Sequence, residues 1–123
     1  MLGWLNLSKR GDTVIRVIIE RKLKPGKEIE FSRITSELRA QAMYQPGYVS
    51  GETWVGNADH LYSVIITTWL SAELWEAWEK SPERLAITER LEPLLVAPVR
   101  TVVLRHPGEV EVSVGYLLSQ MGS

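Results

Sequence analysis

The chain has 123 residues, 45% of them hydrophobic and 24% charged, with a formal net charge of −1, two histidines and no cysteine. That is enough chain for one core and too little for two, and the missing thiols exclude disulfides, thiolate metal sites and cysteine nucleophiles. Lys and Arg are scattered rather than massed, so there is no electrostatic footprint for nucleic acid or an anionic membrane, and two histidines are too few for a histidine-rich metal centre; no metal and no cofactor are expected.

At the start of the chain, Lys9 and Arg10 follow a short apolar patch, Trp4, Leu5 and Leu7, in the reverse of the order found in a secretory signal. No apolar run approaches the roughly 20 residues needed to cross a bilayer. The reading is a cytoplasmic protein without a membrane span, in which residues 1 to 13 are an extension docked on the domain or its partner.

Residues 14 to 22, rich in β-branched side chains, predict a strand that ends near Pro25-Gly26. From Lys27 to about Tyr44 the apolar residues Phe31, Ile34, Leu38 and Ala42 recur at helical spacing, opposite Glu30, Arg33, Glu37 and Gln41, and Pro46-Gly47 stops the helix. Residues 48 to 55 and 60 to 69 read as two strands of an antiparallel hairpin around the turn-rich Gly56-Asn57-Ala58-Asp59. Ser71 is an N-cap for a helix holding Leu74, Trp75 and Trp78. Ser81-Pro82 repeats the start signal, and Arg84, Ile87, Arg90 and Leu91 carry a second helix over 82 to 92, ended or bent at Pro93. Residues 99 to 105 form the last core strand, and Val110, Val112 and Val114 alternate with polar residues as one more strand within a C-terminal extension, 107 to 123. The order, strand-helix-strand-strand-helices-strand, predicts an α+β ferredoxin-like βαββαβ antiparallel sheet with helices on one face.

Three of these strands are apolar on both sides: Ile15, Val17 and Ile19 against Val14 and Ile18, Leu61 and Ile65 against Val64 and Ile66, Val99 and Val103 against Val102 and Leu104. Helices cover only one side, and the other exposes more apolar surface than a soluble monomer usually shows. A second sheet packed face to face removes it, which predicts a homodimer.

The segment from Leu61 to Leu95, with a strand ending at Trp69 and passing through Ser71-Ala72-Glu73 into the Trp75 and Trp78 helix, is a compact signature. Together with Lys24-Pro25-Gly26-Lys27 and Gln45-Pro46-Gly47-Tyr48, it resembles the antibiotic biosynthesis monooxygenase (ABM) domain over residues 14 to 106. The resemblance implies a dimeric α/β barrel. It also implies oxygenase chemistry on quinols or aromatic polyketides without flavin, haem or metal, or the haem degradation found in other members. A cofactor-free oxygenase needs an apolar pocket for a flat electron-rich ring and a polar group that favours its anion, since the anion gives an electron to oxygen directly.

Trp69, Trp75 and Trp78 either fill the core or wall that pocket as substrate-binding residues. His60, at the start of the third strand, is a candidate general base, and Arg90 a candidate cation for a phenolate; His106 and Arg84 offer the same chemistries. Glu20 and Arg21 read as a surface pair at a strand end. In polyketide-oxidising relatives, the resemblance implies an asparagine four residues before the strand-end tryptophan and a tyrosine six after it, where this chain has Ile65 and Trp75. Haem-degrading relatives have a helical tryptophan, a histidine ten residues later and an asparagine in the first strand; Trp78 matches, but Thr88 and the sequence Ile19-Glu20-Arg21 do not, which argues against haem degradation. The reading is a cofactor-independent monooxygenase of a small quinol-like or phenolic molecule, with a non-enzymatic barrel that binds a small hydrophobic ligand or supports assembly as the alternative.

Overall fold

The computed structural model describes residues 13–107. β1 (Ile15–Lys22), β2 (Tyr48–Val55), β3 (Tyr62–Trp69) and β4 (Arg100–Arg105) form a four-stranded antiparallel sheet in the order β2-β3-β1-β4. α1 (Glu28–Ala42) links β1 to β2, while α2 (Ala72–Glu79) and α3 (Pro82–Leu91) link β3 to β4. This is the expected ferredoxin-like α+β unit. The docking of Trp4, Leu5 and Leu7 and the strand expected near Val112 lie outside the described residues. No described helix is long and apolar enough to cross a membrane.

The helices start and stop where side-chain chemistry dictates. α1 buries the stripe Phe31, Ile34, Leu38 and Ala42, with Glu28 and Glu30 at its positive end and Arg39 in its last turn. Ser71 Oγ accepts from the Leu74 amide at 3.2 Å and Ser81 Oγ from the Arg84 amide at 3.2 Å, so both serines cap as expected. α3 ends at Leu91 and tightens into a 3-10 turn, Glu92–Leu94, around Pro93.

Gly47 sits at φ 89°, and a Cβ there would fall 2.5 Å from Leu74 Cδ1. Its carbonyl accepts from the Leu70 amide at 2.8 Å, which ties the start of β2 to the end of β3 directly under α2. Only glycine gives both the positive φ and the close approach.

β3 begins at Tyr62 rather than at His60, because the turn is longer than the sequence suggested. Asp59 Oδ1 accepts from the Leu61 amide at 3.0 Å, its carbonyl accepts from the Tyr62 amide at 3.1 Å, and Lys22 Nζ lies 2.8 Å from its carboxylate. An aspartate that bonds its own backbone two residues on prolongs a turn at the expense of the ladder.

The sheet is two-sided, as its strands require. Ile15, Val17, Ile19 and Trp69 are buried beneath the helices. On the other face, Ile18, Val64, Ile66 and Val102 are only half-buried and Leu104 is 46% exposed, with no described element over them. Glu20 edges this open face, taking a hydrogen bond from the Tyr62 hydroxyl and lying 3.5 Å from Arg100 Nε. Val103, registered with Val17, points instead to the helix side at the sheet edge.

Candidate functional site

The end of β3 and the beginning of β2 bring a cluster of aromatic rings together. Trp69 is fully buried, and its indole Nε1 donates to Thr67 Oγ1, two residues earlier on the same face, at 3.0 Å. A register shift between Tyr48 and Ser50, the mark of a β-bulge, turns the Tyr48 ring edge-on to Trp69 at 5.5 Å. The Tyr48 hydroxyl then lies over Gly51, where a Cβ would come within 2.5 Å of it. α2 adds Trp75, whose ring lies 5.6 Å from that of Trp69, and Trp78; both are buried.

These rings do not fill the space between α1, α2 and the sheet completely. They leave a cavity of about 50 Å³, walled by Ile19, Leu38, Ile65 and the tryptophans Trp69, Trp75 and Trp78. That is room for a few water molecules. Arg39 Nη2 on α1 donates to Thr53 Oγ1 on β2 at 2.5 Å, and both residues are exposed parts of the lining, which puts this contact at the mouth.

Two arginines also line this cavity. Arg21 on β1 is 3% exposed, and its Nη1 has no hydrogen-bond partner among the described residues. Burial, and next the neighbouring charge of Arg84, push its guanidinium down to about 10. Arg84, in the first turn of α3, is 8% exposed and stacks over the Trp75 ring at 5.2 Å. Burial lowers its pKa too, against the opposing pull of Glu79, whose backbone carbonyl accepts from Arg84 Nη1 at 3.5 Å. Arg21 therefore corrects the sequence reading: Glu20 and Arg21 are not a surface pair, because consecutive strand residues point to opposite faces.

The residues singled out from sequence divide into two groups. Trp69, Trp75 and Trp78 meet at the cavity. His60 and Arg90 do not reach it: His60 lies in the exposed turn before β3, 3.6 Å from Glu28, and Arg90 is half-exposed on α3, 2.5 Å from Glu37. His106 is exposed after β4, its Nδ1 2.8 Å from the Pro107 carbonyl. A pattern was available for both buried arginines. Arg21 continues the buried series Ile15, Val17, Ile19, and Arg84 shares the stripe of Ile87 and Leu91, from which Arg90 is displaced. Tyr48 had no such pattern, because the bulge that aims it is a tertiary feature.

Residues 14–90 match the family model for antibiotic biosynthesis monooxygenases. No curated protein sequence matches the chain. Among solved structures, a conserved protein from Methanosarcina mazei Go1 superposes with a TM-score of 0.74 at 17% identity, covering 82% of this chain and 100% of that one. The cofactor-independent oxygenase SnoaB from Streptomyces nogalater gives 0.70 at 15% identity, covering 80% and 98%. Rv0793 from Mycobacterium tuberculosis gives 0.71 at 17% identity, covering 80% and 100%.

Proposed function

Because the chain belongs to the antibiotic biosynthesis monooxygenase family, we propose that it is a cofactor-independent monooxygenase that oxidises a small aromatic, quinol-like or phenolic molecule with O2 beside Trp69. The observation that carries this reading is the cavity itself: an apolar, indole-walled space at the end of a strand, with cationic groups in its lining. Indole faces hold a flat ring in one orientation, and positioning is a large part of what a reaction without a bound cofactor needs. Cationic groups favour the ionised ring, which transfers an electron to O2; superoxide and the ring radical then join at carbon, and the hydroperoxide loses water to leave a carbonyl. For a phenol bearing a para hydrogen the sum is phenol plus O2 giving quinone plus water. The polar work falls to groups that line the cavity rather than to His60 or Arg90.

Residues 14–106 act as the functional unit, with 1–13 and 107–123 as extensions. A second copy covers the open face of the sheet, making the homodimer the working form. This reading rests on the half-buried Ile18, Val64, Ile66 and Val102.

One observation favours a second reading, a non-enzymatic binder of a small hydrophobic ligand. Ile65 and Trp75 line the cavity at the places where polyketide-oxidising relatives are expected to carry asparagine and tyrosine. Oxygen uptake separates the two. A panel of single-ring quinols and phenols should be oxidised faster with protein than without it, with no metal or flavin added. Trp69→Phe should slow the rate several-fold while the fold survives, whereas Trp69→Ala would cost about 3–5 kcal/mol of stability and confuse the test. Saturable binding with no oxygen uptake across the panel would transfer the assignment to the binder.

A further inference from the structure

We infer that Arg21 and Arg84 form an oxyanion subsite inside the indole-walled cavity, so that the ligand is a planar single-ring aromatic carrying an ionised oxygen, as phenolate or carboxylate. This deepens the oxygenase reading by naming its substrate class, and it rests on independent geometry. A guanidinium is an obligate donor of five N–H groups, and burying one without an acceptor is expensive. Arg21 is 3% exposed, lines the cavity and leaves Nη1 without a partner among the described residues. Arg84, also buried at 8% exposure, brings a second positive charge to the same lining, where an arrangement serving stability alone would supply a carboxylate.

The charge of Glu79 acts on Arg84, but among the described residues no carboxylate forms an ion pair with either arginine. Glu79 offers Arg84 a backbone carbonyl, and the Glu52 carboxylate, in register with Ile66 on the open face of the sheet, takes the Trp54 indole N–H there at 3.1 Å. An oxyanion seated between the arginines would receive the free N–H and offset two desolvated charges at once. Its ring would lie against Trp69 and Trp75. At about 50 Å³ the enclosed space is smaller than the roughly 150 Å³ of a cavity that holds benzene, so even a single ring must extend into the mouth, and a fused polycycle is disfavoured.

Calorimetric titration tests the subsite with three ring-matched probes, benzoate, 4-nitrophenol taken above and below its own ionisation, and neutral benzamide. At least one anion should bind ten-fold or more tighter than benzamide and than un-ionised nitrophenol, and which anion wins identifies carboxylate or phenolate as the natural group. Arg21→Met should abolish the preference while keeping the circular dichroism of the fold and an equal or higher melting temperature. Arg84→Gln should reduce the preference, and Arg33→Gln, on the exposed face of α1, should leave it unchanged. Equal affinity for neutral and ionised probes would overturn the inference, as would a preference that survives Arg21→Met. If Arg21→Met fails to fold, an anion preference undiminished in Arg84→Gln would overturn it instead. Binding of anions without oxygen uptake would remove the oxygenase reading and keep the subsite; oxidation of neutral quinols with no anion preference would do the reverse.

Discussion

Arg21 is the residue whose energetics run against its own fold. Its pKa falls from the ordinary guanidinium value to about 10, so between the two the folded state binds fewer protons than the unfolded state, and stability from this group rises with pH through that window. Below about 10 both states are protonated and the whole cost of the buried charge is carried, on the order of 3 kcal/mol. Denaturant titration should therefore find Arg21→Met more stable than the native chain by a margin that is constant from neutral pH to about 10 and shrinks above it. A margin that changed between pH 6 and 8 would point to a different titrating group. Thr67 behaves in the opposite way. Thr67→Val removes the acceptor of the buried Trp69 indole N–H, and should cost about 1–3 kcal/mol with little change in shape, read in the same titration.

Among the elements, the bulged β2 and the capped α2 place the site. Gly47→Ala forces a side chain into a positive φ and against Leu74, so it should lose about 2–4 kcal/mol, more than an exposed turn glycine would. Ser71→Ala and Ser81→Ala each remove one cap and should cost about 1 kcal/mol apiece in chemical denaturation. The Ser71 change is the more informative for function. α2 carries both Trp75 and Trp78, so a frayed first turn there should weaken ligand binding as well as stability. α3 is linked to the site through Arg84, which lies in the turn that Ser81 caps, so Ser81→Ala should also weaken binding of an anionic ligand; Arg90 on the same helix has no such link, since its half-exposed pair with Glu37 contributes at most about 1 kcal/mol.

At the level of the whole molecule, the proposed homodimer rests on the open face of the sheet. Light scattering should give about twice the chain mass of 13.9 kDa. Ile66→Asp places a charge at the centre of the open face, away from the helices and the cavity, and should shift the protein to monomer without unfolding it. A native chain that scatters as a monomer at micromolar concentration would remove the argument from the two-sided strands. The same measurement on Trp69→Phe should still give a dimer, because Trp69 faces the helices.

Sequence alone determined the order of elements, the two serine caps, the turn glycine at 47 and the two-sided apolar strands. Each of these is written in local chemistry: a period of two or of 3.6, a hydroxyl before a helix, a residue type that tolerates positive φ. The family resemblance followed from the same local features. Which polar residues meet was decided only in three dimensions. Arg90 and Arg84 lie six residues apart on one helix, and His60 ends a turn that Asp59 lengthens, yet only Arg84 turns inward, to stack on a tryptophan from the preceding helix. Arg21 belongs to the cavity because β1 is central in the sheet and its alternate residues face α1 and α2. The strand period could place Arg21 on a face, but only the packing of helices over that face could close a cavity around its charge.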